Sequence, residues 1–324
     1  MAEPEDPKLS DSKLAEDDAE RPLTEDVAPD VAPVVDEFMA KSAEANVAEE
    51  HAVEEEAAFA SGAGMEGAAF ATAESGTPYI AFEHVCKSFG DFVVLEDVSF
   101  SVLPGETLCI LGRSGVGKSV SLQMLLGFLK PDRGMIKVAG ENICGFQEKE
   151  LQEIRRKVTM VFQNGALFDS ITVGENVAFP MRERGEMAED QILQVVKGLL
   201  EMVGVAGMES LLPSDLSTGM KRSIAIARAL ASQPEAVLYD EPTTMVDPLM
   251  AHLLGDLIER LKQQLHLTSI VVTHDMRLAK KLADRVVFLS AGKAIFFGTM
   301  EQMEQSQDPI LQEFLALDEL VTPV

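Results

Sequence analysis

Apolar and polar residues alternate over 79–102 and again over 135–142, the period expected of strands with one buried face. These stretches predict an antiparallel β-unit. Thr107-Leu108-Cys109-Ile110-Leu111 is instead a continuous apolar run, too short for a helix, and reads as a strand covered on both faces. Similar runs begin near Val158, Ala236, Ile270 and Val286, with longer segments of helical period between them. That alternation predicts a parallel sheet flanked by helices. From Val120 onward, Leu122, Leu125, Leu126 and Leu129 fall on one helical face. A helical insertion is predicted between 168 and 216. Its main patterns lie at Glu175-Asn176-Val177 and at 191–203, the latter closed by Gly204 and Gly207. The longest apolar stretch, 286–298, is broken by Gly292 and Lys293 and predicts two strands and a turn. A last helical stretch is expected around 308–317.

Charge separates the first 78 residues from the rest. The chain of 324 residues carries 27 basic and 54 acidic side chains, a net charge of −27. Residues 1–78 hold 4 of the basic and 21 of the acidic ones, with few aromatics and no sustained period. High charge with little large apolar content predicts a disordered acidic tail. Such a tail is either a solubilising segment or a partner-docking or autoinhibitory arm. The remainder suits one two-lobed domain over 79–299, with its helical subdomain at about 168–216, followed by a C-terminal helical tail over 300–324. No apolar run approaches the length of a membrane span, so a soluble chain is expected, whose work at a membrane needs a partner. The acidic balance argues against nucleic acid. Cys86, Cys109 and Cys144 lack paired or metal-ligand spacing, which fits a reducing compartment.

The candidate chemistry begins directly after the strand at Thr107. Gly112-Arg113-Ser114-Gly115-Val116-Gly117-Lys118-Ser119 fits the phosphate-binding pattern G-x-x-x-x-G-K-[ST] at every fixed position. It lies between a predicted strand and a predicted helix, where glycines can turn backbone N–H groups toward phosphate and the helix dipole adds to them. Lys118 is placed to reach the β- and γ-phosphates and Ser119 to ligate Mg²⁺. Downstream, Ala236-Val237-Leu238-Tyr239-Asp240-Glu241 is an apolar strand ending in two carboxylates. Beside a P-loop such a strand supplies Asp240 to the Mg²⁺ shell and Glu241 to orient and polarise the attacking water. ATP and Mg²⁺ are the expected ligands of a P-loop NTPase core.

Leu216-Ser217-Thr218-Gly219-Met220, just ahead of a helix, resembles the signature of the ATP-binding cassette (ABC) family, LSGG followed by Gln or Met. The resemblance extends over about 79–298 and preserves motif order. It implies that Ser217, Gly219 and the helix they begin contact the γ-phosphate held by a second subunit, so that the working unit is a homodimer. It implies that Gln163 contacts Mg²⁺ and the water, that His274 contacts the γ-phosphate, and that the backbone at Asp247 follows the dimer seam. Phe89 occupies the place of the family's adenine-stacking aromatic; the other reading is a core phenylalanine of the β-subdomain. Thr218 departs from the signature. A β-branched residue there is expected either to be accommodated or to loosen closure of the shared site, because it tolerates positive φ poorly.

The loop after Gln163 reads Phe162-Gln163-Asn164-Gly165-Ala166-Leu167-Phe168-Asp169-Ser170 and continues through Glu175-Asn176-Val177-Ala178-Phe179-Pro180. It is similar to the ATPases of Mla/Mce-type lipid transporters, as is Gln307-Asp308-Pro309-Ile310-Leu311-Gln312-Glu313-Phe314-Leu315. Ala166, Leu167 and Phe168 either receive a permease helix or pack the helical subdomain. This resemblance implies phospholipid transport across a bacterial envelope, powered at the cytoplasmic face of the inner membrane. It further implies a multi-spanning permease and a membrane-tethered Mce-domain protein as partners. The alternatives are an ABC ATPase for another substrate and a non-transport ABC ATPase of the iron–sulfur assembly type.

Overall fold

The computed structural model describes Val35, residues 38–40 and residues 76–321, with side chains as far as 316. Most of the expected acidic tail lies outside the described residues. Strand β1 (Ile80–Phe89) forms a hairpin with β2 (Phe92–Val102), followed by β3 (Thr107–Leu111). Helix α1 (Lys118–Leu125) leads to β4 (Arg133–Val138) and the short β5 (Glu141–Asn142). Next come α2 (Glu148–Lys157), β6 (Val158–Val161), and the inserted α3 (Val173–Arg184) and α4 (Glu189–Met202). Helix α5 (Thr218–Leu230) returns to β7 (Ala236–Asp240), α6 (Pro248–Leu265), β8 (Thr268–Val272) and α7 (Met276–Leu282). The hairpin β9 (Arg285–Ser290) and β10 (Lys293–Gly298) precedes α8 (Met300–Glu304) and α9 (Pro309–Val321).

Two sheets result. The antiparallel one has the order β2-β1-β4-β5, and the six-stranded one β10-β9-β3-β8-β7-β6. In the latter, β9, β3, β8, β7 and β6 run parallel and only β10 is antiparallel. Each central strand alternates between two apolar clusters, as a sheet covered on both faces must. Cys109, Leu111, Val237, Tyr239, Val271, Val286 and Phe288 enter the cluster shared with α3–α6. Leu108, Ile110, Leu238, Ile270, Val272, Val287 and Leu289 enter the one shared with the antiparallel sheet and α1. Helix α9 joins the first cluster through Leu311 and through Phe314, whose ring stands edge-on to Phe288 at 4.8 Å.

Local chemistry accounts for the element ends. Thr172 and Glu175 form a reciprocal capping box at the start of α3, which stops at Gly185 with φ +68°. Helix α2 has Glu148 and Glu150 in its first turn and Arg155, Arg156 and Lys157 in its last, matching its dipole. Helix α1 is shorter than its leucine pattern predicts, and Leu129 lies beyond it. Gly127 takes φ +68° and lies so close to Leu151 that a Cβ would stand 2.4 Å from Leu151 Cδ2. The chain turns there so that α2 can pack.

One part of the acidic segment is built against the domain. Val35 and residues 38–40 are helical, and Val35, Phe38 and Met39 are buried in the α3–α6 cluster. The charge balance masked these three apolar residues at helical spacing.

Candidate nucleotide-binding and hydrolysis site

The glycine loop between β3 and α1 takes shapes open to few other residues. Gly112 has φ +146°, and a Cβ on it would lie 2.4 Å from the carbonyl oxygen of Leu289. Gly117, at φ +103°, is the N-cap of α1 and offers no side-chain cap, so the first N–H groups of that helix face the cleft. Lys118 is buried. Its Nζ donates to the carbonyls of Gly112 at 2.8 Å and Arg113 at 3.2 Å, and lies 3.4 Å from Glu241 Oε1. Arg113 turns outward instead and pairs with Glu313 of α9 at 2.7 Å.

Strand β7 ends beside this loop and delivers both carboxylates. Ser119 Oγ donates to Asp240 Oδ1 at 2.8 Å. Glu241 has φ +49°, its N–H bonded to the Val272 carbonyl at 2.8 Å, and this turns its side chain back across the P-loop. Its Oε2 accepts from Thr244 Oγ1 at 3.0 Å and is 2.7 Å from His274 Nδ1. One carboxylate is thus held by a lysine, a threonine and a histidine.

Burial lifts the Asp240 carboxyl above its ordinary 3.8; the Ser119 hydroxyl pulls it back, the Glu241 charge raises it further and Lys118 lowers it. A carboxyl raised on folding favours the folded chain below the unfolded-state pKa, and that contribution is lost as pH rises through the folded-state value. Ionised Asp240 therefore costs stability at neutral pH. Asp240→Asn is expected to raise the neutral-pH stability of the nucleotide-free chain by about 1 kcal/mol. The difference from the parent should narrow toward pH 4, as thermal melts at two pH values would show.

A cleft of about 360 Å³ opens onto Ser114, Gly115, Gly117, Lys118, Ser119, Gln163, Glu241 and His274. Four positions expected at the site, Ser217, Gly219, Asp247 and Phe89, are absent from the lining of this cleft. Ser217 caps α5, accepting from the Met220 N–H at 3.3 Å. Gly219 packs so closely on α6 that a Cβ would meet Met250 Cε at 2.5 Å. Asp247 caps α6 through the Met250 N–H at 3.0 Å. Phe89 ends β1, is 48% exposed and has Lys87 Nζ 5.4 Å from its ring centre, so it is no core residue. Thr218, the departure from the signature, is exposed and opens α5. It is absent from the described non-glycine residues with positive φ, so the strain anticipated for it does not arise.

Sequence reasoning missed Val94 and Thr244, both of which line the cleft. A hydroxyl three residues after Glu241 was the available signal for Thr244; Val94 gave none. It also missed Arg222, buried on α5, which donates to the carbonyls of Phe162 at 3.2 Å and Thr244 at 3.4 Å. Through it the signature helix touches both the residue before Gln163 and the residue that holds Glu241.

Chemically, the cleft offers amide donors and an ammonium for a polyphosphate, a hydroxyl–carboxylate pair for a hard cation, and a carboxylate–histidine pair for a water. The ABC transporter family profile matches residues 95–244. A Haemophilus influenzae protein, "Intermembrane phospholipid transport system ATP-binding protein MlaF", is 42% identical over 226 residues, 70% of this chain and 86% of the relative. A Mycobacterium leprae "Probable ribonucleotide transport ATP-binding protein mkl" is 37% identical over 236 residues, 73% of this chain and 68% of the relative. Among solved structures, "Dimeric structure of a post-hydrolysis state of the ATP-binding cassette MJ0796 bound to ADP and Pi" superposes with a TM-score of 0.63 at 29% identity, covering 68% of this chain and 98% of that one. The P-loop, the strand-borne carboxylates and these likenesses agree: the chain belongs to the ABC transporter family, as one of its ATP-binding, ATP-hydrolysing subunits.

Proposed function

We propose that two copies of this chain power the movement of phospholipid through a separate permease, bound peripherally at the cytoplasmic face of an inner membrane. An Mce-domain protein is the expected third component. The observation that carries the lipid reading is the surface formed by the segment that follows Gln163 in the chain. Phe168 is exposed, its ring 5.1 Å from that of exposed Phe179, with Arg228 beside it. Leu167 packs inward instead. The loop after Gln163 therefore divides its apolar residues between the core and an outward patch, and this is the segment that looks like the lipid-transport ATPases. The likeness to MlaF supports the same substrate. Among the described residues no helix is long and apolar enough to cross a membrane, which fits a subunit working through a membrane partner.

In the proposed mechanism ATP lies against the P-loop of one copy and the Ser217 end of α5 in the other. The dispersed positions of Ser217, Gly219 and Asp247 support a shared site, as does the dimeric relative with ADP and Pi. Lys118 exchanges its P-loop carbonyls for phosphate oxygens, and the amides of α1 hold the charge that develops on transfer. Ser119 and Asp240, already in contact, and Gln163 across the cleft would hold Mg²⁺. These side chains, directly or through water, would complete a shell to which the phosphates add oxygens, and the ion would supply charge neutralisation for the transferred group. Glu241 aims the attacking water and accepts its proton. His274 and Thr244 keep that carboxylate in place, and His274 faces the γ-phosphate. Phe89 closes on the adenine.

The test is affinity purification of the tagged full chain from its own membranes in mild detergent, with proteins and lipids identified by mass spectrometry. A multi-spanning permease, an Mce-domain protein and enriched phospholipid are expected. A permease with a different soluble binding protein would overturn the lipid assignment and favour another cargo, such as the ribonucleotide named for the mycobacterial relative. A soluble iron–sulfur assembly complex would overturn transport itself.

A further inference from the structure

Val35, Phe38 and Met39 are 2%, 9% and 2% exposed, far below what an acidic extension would leave them if it merely trailed from the domain. Their i, i+3, i+4 spacing puts all three on one helical face, and Ala40 on the same turn is exposed. The turn is seated where α3 and α5 both end. Gln233, in the connection from α5 to β7, donates through Nε2 to the Phe38 carbonyl. Its Oε1 accepts from Arg184 Nη1 at 3.4 Å, and Arg184 Nη2 donates to the neighbouring Ser232 carbonyl. Gln233 holds φ +48°, in the sparsely populated left-handed region. A cavity of about 520 Å³ continues beside Phe38, bounded by Met181, Arg184, Val195 and Ala231.

We propose that this turn is an intramolecular ligand of the groove at the distal ends of α3 and α5, and that it braces the helical subdomain of its own chain. The opposite end of α5 carries Ser217, and Phe179 of the aromatic patch stands on α3 itself, two residues before groove-lining Met181. A contact at the C-terminal end of α5 bears on the direction of its N-terminal end, because its 13 residues hold no proline to break the rod; α3, interrupted by Pro180, is braced only near the contact. The occupant is taken from the structure itself: an apolar face with a backbone acceptor, set against buried apolar side chains of the helical subdomain and the Gln233 amide, with Arg184, Glu186, Gln191 and Gln194 on the rim of the adjoining cavity. The inference concerns the helical subdomain alone, and its failure would leave the ATPase chemistry untouched.

The experiment uses the full-length chain with a photoreactive benzoylphenylalanine at position 38, irradiated at low micromolar concentration without partners. The expected product has the mass of one chain, with the crosslink mapping to peptides containing Met181–Val195 or Ala231–Gln233. A crosslink at the mass of two chains would assign the groove to a second copy. No crosslink, or one outside these peptides, would overturn the proposal. Hydrogen exchange adds a second reading on Phe38→Asp and, separately, Gln233→Ala. Amides of the C-terminal half of α3 and of α4 should exchange at least about tenfold faster in both variants, with the amides of β3 and β7 unchanged. Equal exchange in the parent and both variants would also overturn it.

Discussion

Glu241→Gln is expected to lower steady-state ATP turnover by about 10²- to 10⁴-fold, the usual worth of a positioned base, while ATP binding persists. The amide keeps the shape of the carboxylate and can still be held by Thr244, whose hydroxyl bonds Glu241 Oε2 at 3.0 Å. It cannot take a proton from water. It also removes the negative charge that stands 3.4 Å from Lys118, so the ammonium is freer to turn toward phosphate. The variant should therefore bind ATP at least as well as the parent and accumulate as closed dimers. Phosphate release under excess ATP, nucleotide affinity and size-exclusion chromatography with and without ATP measure the three outcomes. Parent-like turnover would remove Glu241 from the chemistry.

Lys118→Ala acts on the other half of the same contact and should lose binding as well as turnover. The ammonium is 5% exposed and satisfies two P-loop carbonyls. Its removal deletes a charge-assisted contact to phosphate worth about 1.5–3 kcal/mol, which is roughly 10- to 150-fold in affinity. It also leaves Glu241 without its cation. Fluorescent-nucleotide titration and phosphate release separate this outcome from that of Glu241→Gln: the first variant binds and stalls, whereas the second binds weakly. Parent-like affinity in Lys118→Ala would place the phosphates away from the P-loop.

How far these sites could be read from sequence depended on whether their geometry is local. The P-loop is a run of eight residues between one strand and one helix, and its glycines record the shape directly. Strands β3, β7, β8 and β9 were legible because sheets covered on both faces leave unbroken apolar runs. Glu241 was legible as an acid after a strand, but its turned-back pose, with φ +49° and a histidine 33 positions later on its oxygen, was not. Arg222 was hidden in a helix whose basic residues look alike until two carbonyls from distant loops meet one of them. Leu129 failed in the opposite direction: its periodicity was helical, but crowding at Gly127 ended the helix first. The turn at Val35, Phe38 and Met39 was obscured by averaging charge over a long acidic stretch.

The alternation of the central strands has a consequence for how the molecule comes apart. Leu108 and Cys109, adjacent in β3, belong to different apolar clusters, as do Leu238 and Tyr239 in β7. Neither cluster can be melted without stripping one face from strands that the other still needs. The two lobes should therefore unfold as one cooperative unit, giving a single calorimetric transition. Heat and denaturant are then expected to reach the two carboxylates at the end of β7 through global unfolding, whereas local opening of α3 and α4 leaves them in place.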